Sequence, residues 1–135
     1  MKDDIIQELS SSGHKLRIYS QDYTLIYHSN MERLKPLLEY LNLHANEYTN
    51  IIVADRIVGN AAALLSIKAG CKEVYSPLGS KIAEDSFKQY GISYQFTTVV
   101  PYIAQPGKTT MCPMERLSLG KSPKEFFELV NTTAT

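Results

Sequence analysis

Apolar residues recur along this chain in two periods, and each change of period marks an element. Ile5, Ile6 and Leu9 share one side of a helix over Asp3 to Leu9, which Ser10-Ser11-Ser12-Gly13 ends. Lys15 to Ser20 and Tyr23 to His28 are runs of strand formers separated by Gln21-Asp22, which predicts a tight hairpin with Leu16, Ile18, Leu25 and Tyr27 on one face. Leu34, Leu37, Leu38 and Leu41 return at helical spacing, behind a cap at Ser29 or Asn30, in a helix starting near Met31. Pro36 lies close enough to that start to be tolerated.

From residue 50 onward strands and helices alternate. Asn50 to Ala54 is a short, fully apolar strand of the kind covered on both faces. A helix follows over Ile57 to Ala69, stopped by Gly70, then a strand over Lys72 to Tyr75 and a helix over Pro77 to Gln89 that Tyr90-Gly91 terminates. Ile92 to Val100 is the next strand, and Pro101 limits it. Tyr102 to Thr110 is a loop turning at Pro106-Gly107. Helices over Pro113 to Leu119 and Pro123 to Val130, the second capped by Ser122, complete the chain, and Asn131 to Thr135 frays. A hairpin followed by such alternation predicts one α/β domain spanning 1–135, with a mixed sheet between two helical layers. Functional groups in such sheets gather where strand ends meet helix starts. Asp55 stands on one such junction, and Cys112 is placed on an adjacent one.

At 135 residues, 44% apolar and 21% charged, the chain buries a core without staples. A formal net charge of zero supplies no track for nucleic acid and no basic run for anionic lipid. Two cysteines make no disulfide framework, the acidic opening Met1-Lys2-Asp3-Asp4 is unlike a signal peptide, and no apolar run is long enough to span a bilayer. These features place the protein in the cytoplasm, away from membranes and nucleic acids. An exposed strand edge would support a homodimer, although no residue pattern demands one. The nine tyrosines read as half-buried strand residues.

Candidate chemistry concentrates at two predicted helix starts, where unpaired N–H groups favour acids and thiolates. Asp55 has two readings: a cap accepting from Ile57 or Val58, or a carboxylate directed into the crevice above the sheet. Arg56 and Asn60, four positions apart, would share the rim of that crevice. Gly59 and Ala61 to Ala63 read as close helix packing. Cys112, facing the N–H groups of the next helix, would be acidified, and Pro113 and Glu115 suit its first turn. A small buried thiol beside a dipole-complementing acid is the plainer alternative. Cys71 reads as core, and His14, His28 and His44 as solvated or packed, without ligand spacing.

In these residues the chain resembles a family of uncharacterised bacterial and archaeal proteins with a cytidine-deaminase-like fold. The resemblance rests on Ala54 to Ala63, Val74-Tyr75, Val100-Pro101-Tyr102-Ile103 and Cys112 to Glu115. It implies a three-layer α/β/α sandwich. Asn60 departs from the pattern, standing where a basic residue is expected, which weakens an anion site there. Zinc deaminases carry His-x-Glu at one helix start and Pro-Cys-x-x-Cys at another. Laid on this chain, Asp55 takes the place of the His, Ile57 of the Glu, and Cys112 and Glu115 of the two Cys. That set suits zinc poorly and lacks the proton shuttle, so neither metal nor cofactor is expected. The resemblance implies binding of, or action on, a small polar, nucleoside-like molecule without zinc. Asp55, Cys112 and Glu115 would form the reactive centre, with Arg56, Asn60, Tyr102, Lys108 and Thr109 around the ligand. A noncatalytic regulatory or interaction module on the same scaffold is the alternative.

Overall fold

The computed structural model of the chain describes residues 2–44 and 46–133. Its elements are α1 (Lys2–Ser12), β1 (Leu16–Tyr19), β2 (Leu25–Ser29), α2 (Lys35–Leu43), β3 (Ile51–Asp55), β4 (Ile57–Val58), α3 (Asn60–Lys68), β5 (Cys71–Ser80), α4 (Lys81–Tyr90), β6 (Ser93–Val100), α5 (Pro113–Ser118) and α6 (Pro123–Thr133). β1 pairs antiparallel with both β2 and β3, while β3, β4 and β6 all run parallel to β5.

β4 continues β3. Ala54 lies opposite Tyr75 and Ile57 opposite Leu78, so both segments keep one register along the same side of β5. The ladder fails at Arg56, which that register sets opposite Pro77, a residue with no N–H to give. Val53 and Val58, five positions apart, both enter the main core, so the strand turns over at this break. Across the sheet the order is therefore β2, β1, β3 with β4, β5, β6.

The two faces of the sheet are covered unequally. One face carries the larger core, in which Leu37, Leu41, Leu64, Leu65, Phe87 and Phe126 from α2, α3, α4 and α6 close over Leu16, Ile18, Val53 and Val74. The other is covered by α1, whose Ile5 and Leu9 pack on Tyr19, Ile52, Ala54 and Tyr75. The result is a three-layer α/β/α sandwich with one thin layer. No helix among the described residues is long and apolar enough to cross a membrane.

Most departures from the sequence expectations trace to contacts distant along the chain. The hairpin forms, but its turn spans Ser20 to Thr24. Ser20 N–H donates to Thr24 O at 2.8 Å, and Tyr23 takes a positive φ of 67° where the predicted turn was shorter. α2 begins at Lys35 rather than near Met31, because Arg33 at φ 58° interrupts the backbone; Ser29 Oγ accepts from Met31 N–H, at 3.0 Å, ahead of the helix. α3 starts at Asn60, not Ile57, since Ile57 and Val58 are held as strand by β5. Pro77 to Ser80 is strand rather than helix, and Ser80 caps α4 by accepting from Ala83 N–H at 3.0 Å. α6 runs on through Asn131 to Thr133, where fraying was expected; residues 134–135 lie outside the described residues. Gly70 and Gly91 do end α3 and α4, with φ of 86° and 70°. Ser122 and Glu125 form a reciprocal capping box at the start of α6.

Candidate functional site

α3 crosses from β3–β4 to β5, so its N-terminus lies at the carboxyl end of the central parallel strands. Gly59 is its N-cap residue and offers no side chain to the free N–H groups. The acceptor comes instead from Glu115, 55 residues away in sequence. Its Oε1 accepts from Asn60 N–H and its Oε2 accepts from Ile103 N–H at 2.8 Å. A negative carboxylate at this end also complements the helix dipole. The side chain is 2% exposed, so both oxygens are spent on protein donors. A Cβ on Gly59 would lie 2.6 Å from Glu115 Oε1 and 2.7 Å from Ile103 Cγ1. Gly59 is thus explained by the close approach of a carboxylate rather than of a neighbouring helix.

Asn60 completes this joint. Its amide nitrogen donates to Ser118 Oγ at 3.0 Å and Ser118 O at 3.3 Å, and its carbonyl oxygen accepts from Ser86 Oγ. At 4% exposure it ties α3 to α5 and α4. Arg56 and Asn60 do not share a helical face, because Arg56 precedes β4. The guanidinium of Arg56 turns away and its Nε donates to His14 O at 2.9 Å.

Asp55 closes β3 opposite Leu16. By the alternation of Ile51 and Val53 it is directed to the larger core's face of the sheet. It is partly buried, and desolvation pushes its carboxyl up to about 7, against the lowering influence of the nearby Ile57 and Arg56 backbone; the Arg56 N–H itself donates to Lys15 O at 3.2 Å. Among the described residues no side chain hydrogen-bonds or ion-pairs with it, and none links it to Cys112 or Glu115. Asp55 and Ile57 both lie in extended backbone, not on the first turn of a helix. They therefore depart from the helix-start placement onto which His-x-Glu was laid.

Cys112 is a half-buried free thiol and the N-cap residue of α5, where its side chain makes no capping bond. It does not follow a sheet strand directly. β6 ends at Val100, and the chain first doubles back through a bridge between Ala104 and Met111. Cys112 N–H donates to Ile103 O at 2.8 Å, which with the Ile103–Glu115 bond fastens this loop beneath α3. Cys71 is buried, and burial pushes its thiol up to about 12, consistent with a core role. Tyr102 OH donates to Thr109 O, while Lys108 and Thr109 are exposed on the loop. His14 and His28 stack at 4.1 Å beside the hairpin, where His14 O accepts from Arg56 Nε.

Two surface hollows flank α5. One, of about 530 Å³, is lined by Gln105, Thr110 and Arg116 among others. The second, of about 420 Å³, is lined by residues that include Asn60, Ser86 and Glu125. Asp55 and Cys112 line neither. Among the described residues no three His, Cys, Asp or Glu side chains gather as a metal site, and Asp55, Cys112 and Glu115 form no such cluster. The buried bond from Glu115 to Asn60 N–H is the feature that sequence reasoning missed. Gly59 was the available signal, since a bare helix N-cap requires an acceptor from elsewhere.

The chain belongs to the TM1506 family, a domain of unknown function (DUF1893), whose model matches residues 4–133. It is similar to a DUF1893 family protein (TM1506) from Thermotoga maritima, known from a crystal structure, at 25% identity with a TM-score of 0.83. The likeness covers 98% of this chain and 88% of that one. No curated protein matches it.

Proposed function

We propose that this DUF1893 protein binds a small polar molecule without zinc, at the carboxyl ends of its central strands, through Asp55. The ligand class, a nucleoside-like compound, rests on the resemblance to the cytidine-deaminase-like fold, which the mixed three-layer sheet accords with; fold alone does not fix function. The observation that carries the reading is Asp55 itself. It is a carboxyl at a strand end with no side-chain partner among the described residues, and desolvation holds it well above the usual carboxylate range, up to about 7. Such a group can give a proton to a bound molecule or take one from it. In this reading Cys112 is a wall of the site or its nucleophile, and Glu115 is the brace that holds α3 and α5 around it.

The test is thermal denaturation with cytidine, uridine, adenosine and guanosine in turn. A ligand at about one hundred times its Kd adds about 2.7 kcal/mol of stability. The wild type should gain a higher Tm with at least one nucleoside, the gain should vanish in Asp55→Asn, and Cys112→Ser should keep the gain while losing any turnover if the thiol is the nucleophile rather than a wall. A shift that persists undiminished in Asp55→Asn removes Asp55 from the site.

A second reading, a noncatalytic interaction module, is favoured by one observation. The Asn60 N–H at the start of α3 is already taken by the chain's own Glu115, whose carboxylate stands where an anionic group from outside would bond it. Under this reading no nucleoside shifts the melting temperature, and Asp55 serves only to close β3 beside the backbone of Arg56 and Ile57.

A further inference from the structure

We propose that the outer edge of β6 joins a second copy of this chain, antiparallel about a twofold axis, so that two sheets become one. β6 pairs with β5 from Glu73–Ser93 to Ser80–Val100 without a register shift, and among the described residues nothing pairs with its other side. It therefore presents eight residues of strand with a free row of backbone donors and acceptors.

Edges of this kind invite pairing, and proteins that must stay apart blunt them with charges, prolines, bulges or short strands. β6 has none of these. From Ile92 to Val100 the sequence is Ile-Ser-Tyr-Gln-Phe-Thr-Thr-Val-Val, uncharged and rich in β-branched and aromatic residues, and Pro101 falls only after the strand ends. The opposite edge is defended. β2 has five residues, its pairing with β1 slips at Ile18–Tyr19, and it carries His28.

A second copy is the partner that this edge fits. Antiparallel self-pairing sets Gln95, Thr97 and Val99 against residues of the same strand, and no register brings like charges together because the strand has no charges. The chain's formal net charge of zero leaves no long-range repulsion between copies. A twofold contact also uses both free β6 edges and closes, whereas β6 on β2 of the next copy would leave edges exposed and grow. Val99, 45% exposed, would be covered.

Sedimentation velocity on the full chain tests this from about 1 µM to about 1 mM, the span from a firm to a marginal complex. The wild type should pass from monomer to dimer, with amide exchange slowing in Ser93–Val100 as concentration rises. Thr97→Lys/Val99→Lys should weaken the dimer by at least about tenfold through like charges at the axis while keeping the far-UV spectrum. Leu25→Lys on β2 should leave it intact. A wild type monomeric throughout, a dimer untouched by the β6 substitutions, or one lost with Leu25→Lys overturns the proposal. Should the double variant not fold, the concentration dependence of β6 exchange in the wild type decides it.

Discussion

Asp55→Asn is expected to stabilise the protein at about pH 8 by up to about 4 kcal/mol, and to change little near pH 4. The sign follows from the direction of the shift. Burial raises the folded-state carboxyl from 3.8 to about 7, so over that interval the folded protein holds a proton that the unfolded chain has released. Wild-type stability owed to this group is whole below 3.8, is lost as pH rises through about 7, and stays lost above it. An amide cannot ionise, and it keeps an acceptor oxygen beside the same backbone. Urea denaturation of both proteins at a series of pH values reads the difference directly. A residue present only as a backbone cap would behave oppositely, with Asn neutral or destabilising at pH 8. Retaining a costly carboxyl where an amide would be more stable is the trade expected of a binding or catalytic group.

Glu115→Ala should lower stability by about 3–5 kcal/mol, the other large effect. The substitution leaves the buried N–H of Asn60 without its acceptor, at a cost of about 1–3 kcal/mol, and the partly buried N–H of Ile103 at a smaller one, and it empties the space beside Gly59. Glu115→Gln keeps one acceptor and should lose less. Denaturant midpoints at unchanged slope measure both. If Glu115→Ala instead left stability within about 0.5 kcal/mol, as surface changes do, Glu115 would be a solvent-facing acid rather than a brace.

The parts of this fold that were legible in the sequence are those written locally. The Ile51-Ile52-Val53 run sits centrally in the sheet, the hairpin pairs Leu16 to Tyr19 with Leu25 to Ser29, and Gly70 and Gly91 end helices at left-handed φ. The misread segments were decided at a distance. Pro77 looks like the first turn of a helix, yet the strands on either side hold Cys71–Ser80 extended, and the ladder's break at Arg56 absorbs the missing N–H. Gly79 belongs to that strand because the Phe96 ring lies where its Cβ would be. Asp55 reads as a cap or as a crevice carboxylate, the cap on the assumption that the helix begins at once, but β5 pairs with Ile57 and Val58 first and moves the start to Asn60.

The candidate site divides along the same line. The motif pair around Asp55 and Cys112 was visible because both stretches are compact in sequence. That the Glu of the second motif would turn to the start of α3 was not visible, since its partners lie 55 and 12 residues away and only the fold brings them together. Asn60 likewise reads as a rim residue until Ser118 and Ser86 close on it. Glu115 and Asn60 thus supply the frame, and Asp55 is the acid that has no side-chain partner among the described residues.

The most direct measurement of this account is the pH titration of the Asp55 side-chain carboxyl carbon by NMR, assigned against Asp55→Asn. The midpoint is expected near pH 7, as for a desolvated acid held ready to exchange a proton. A midpoint at or below the ordinary 3.8 would mean a carboxylate content as a backbone cap, and would contradict it.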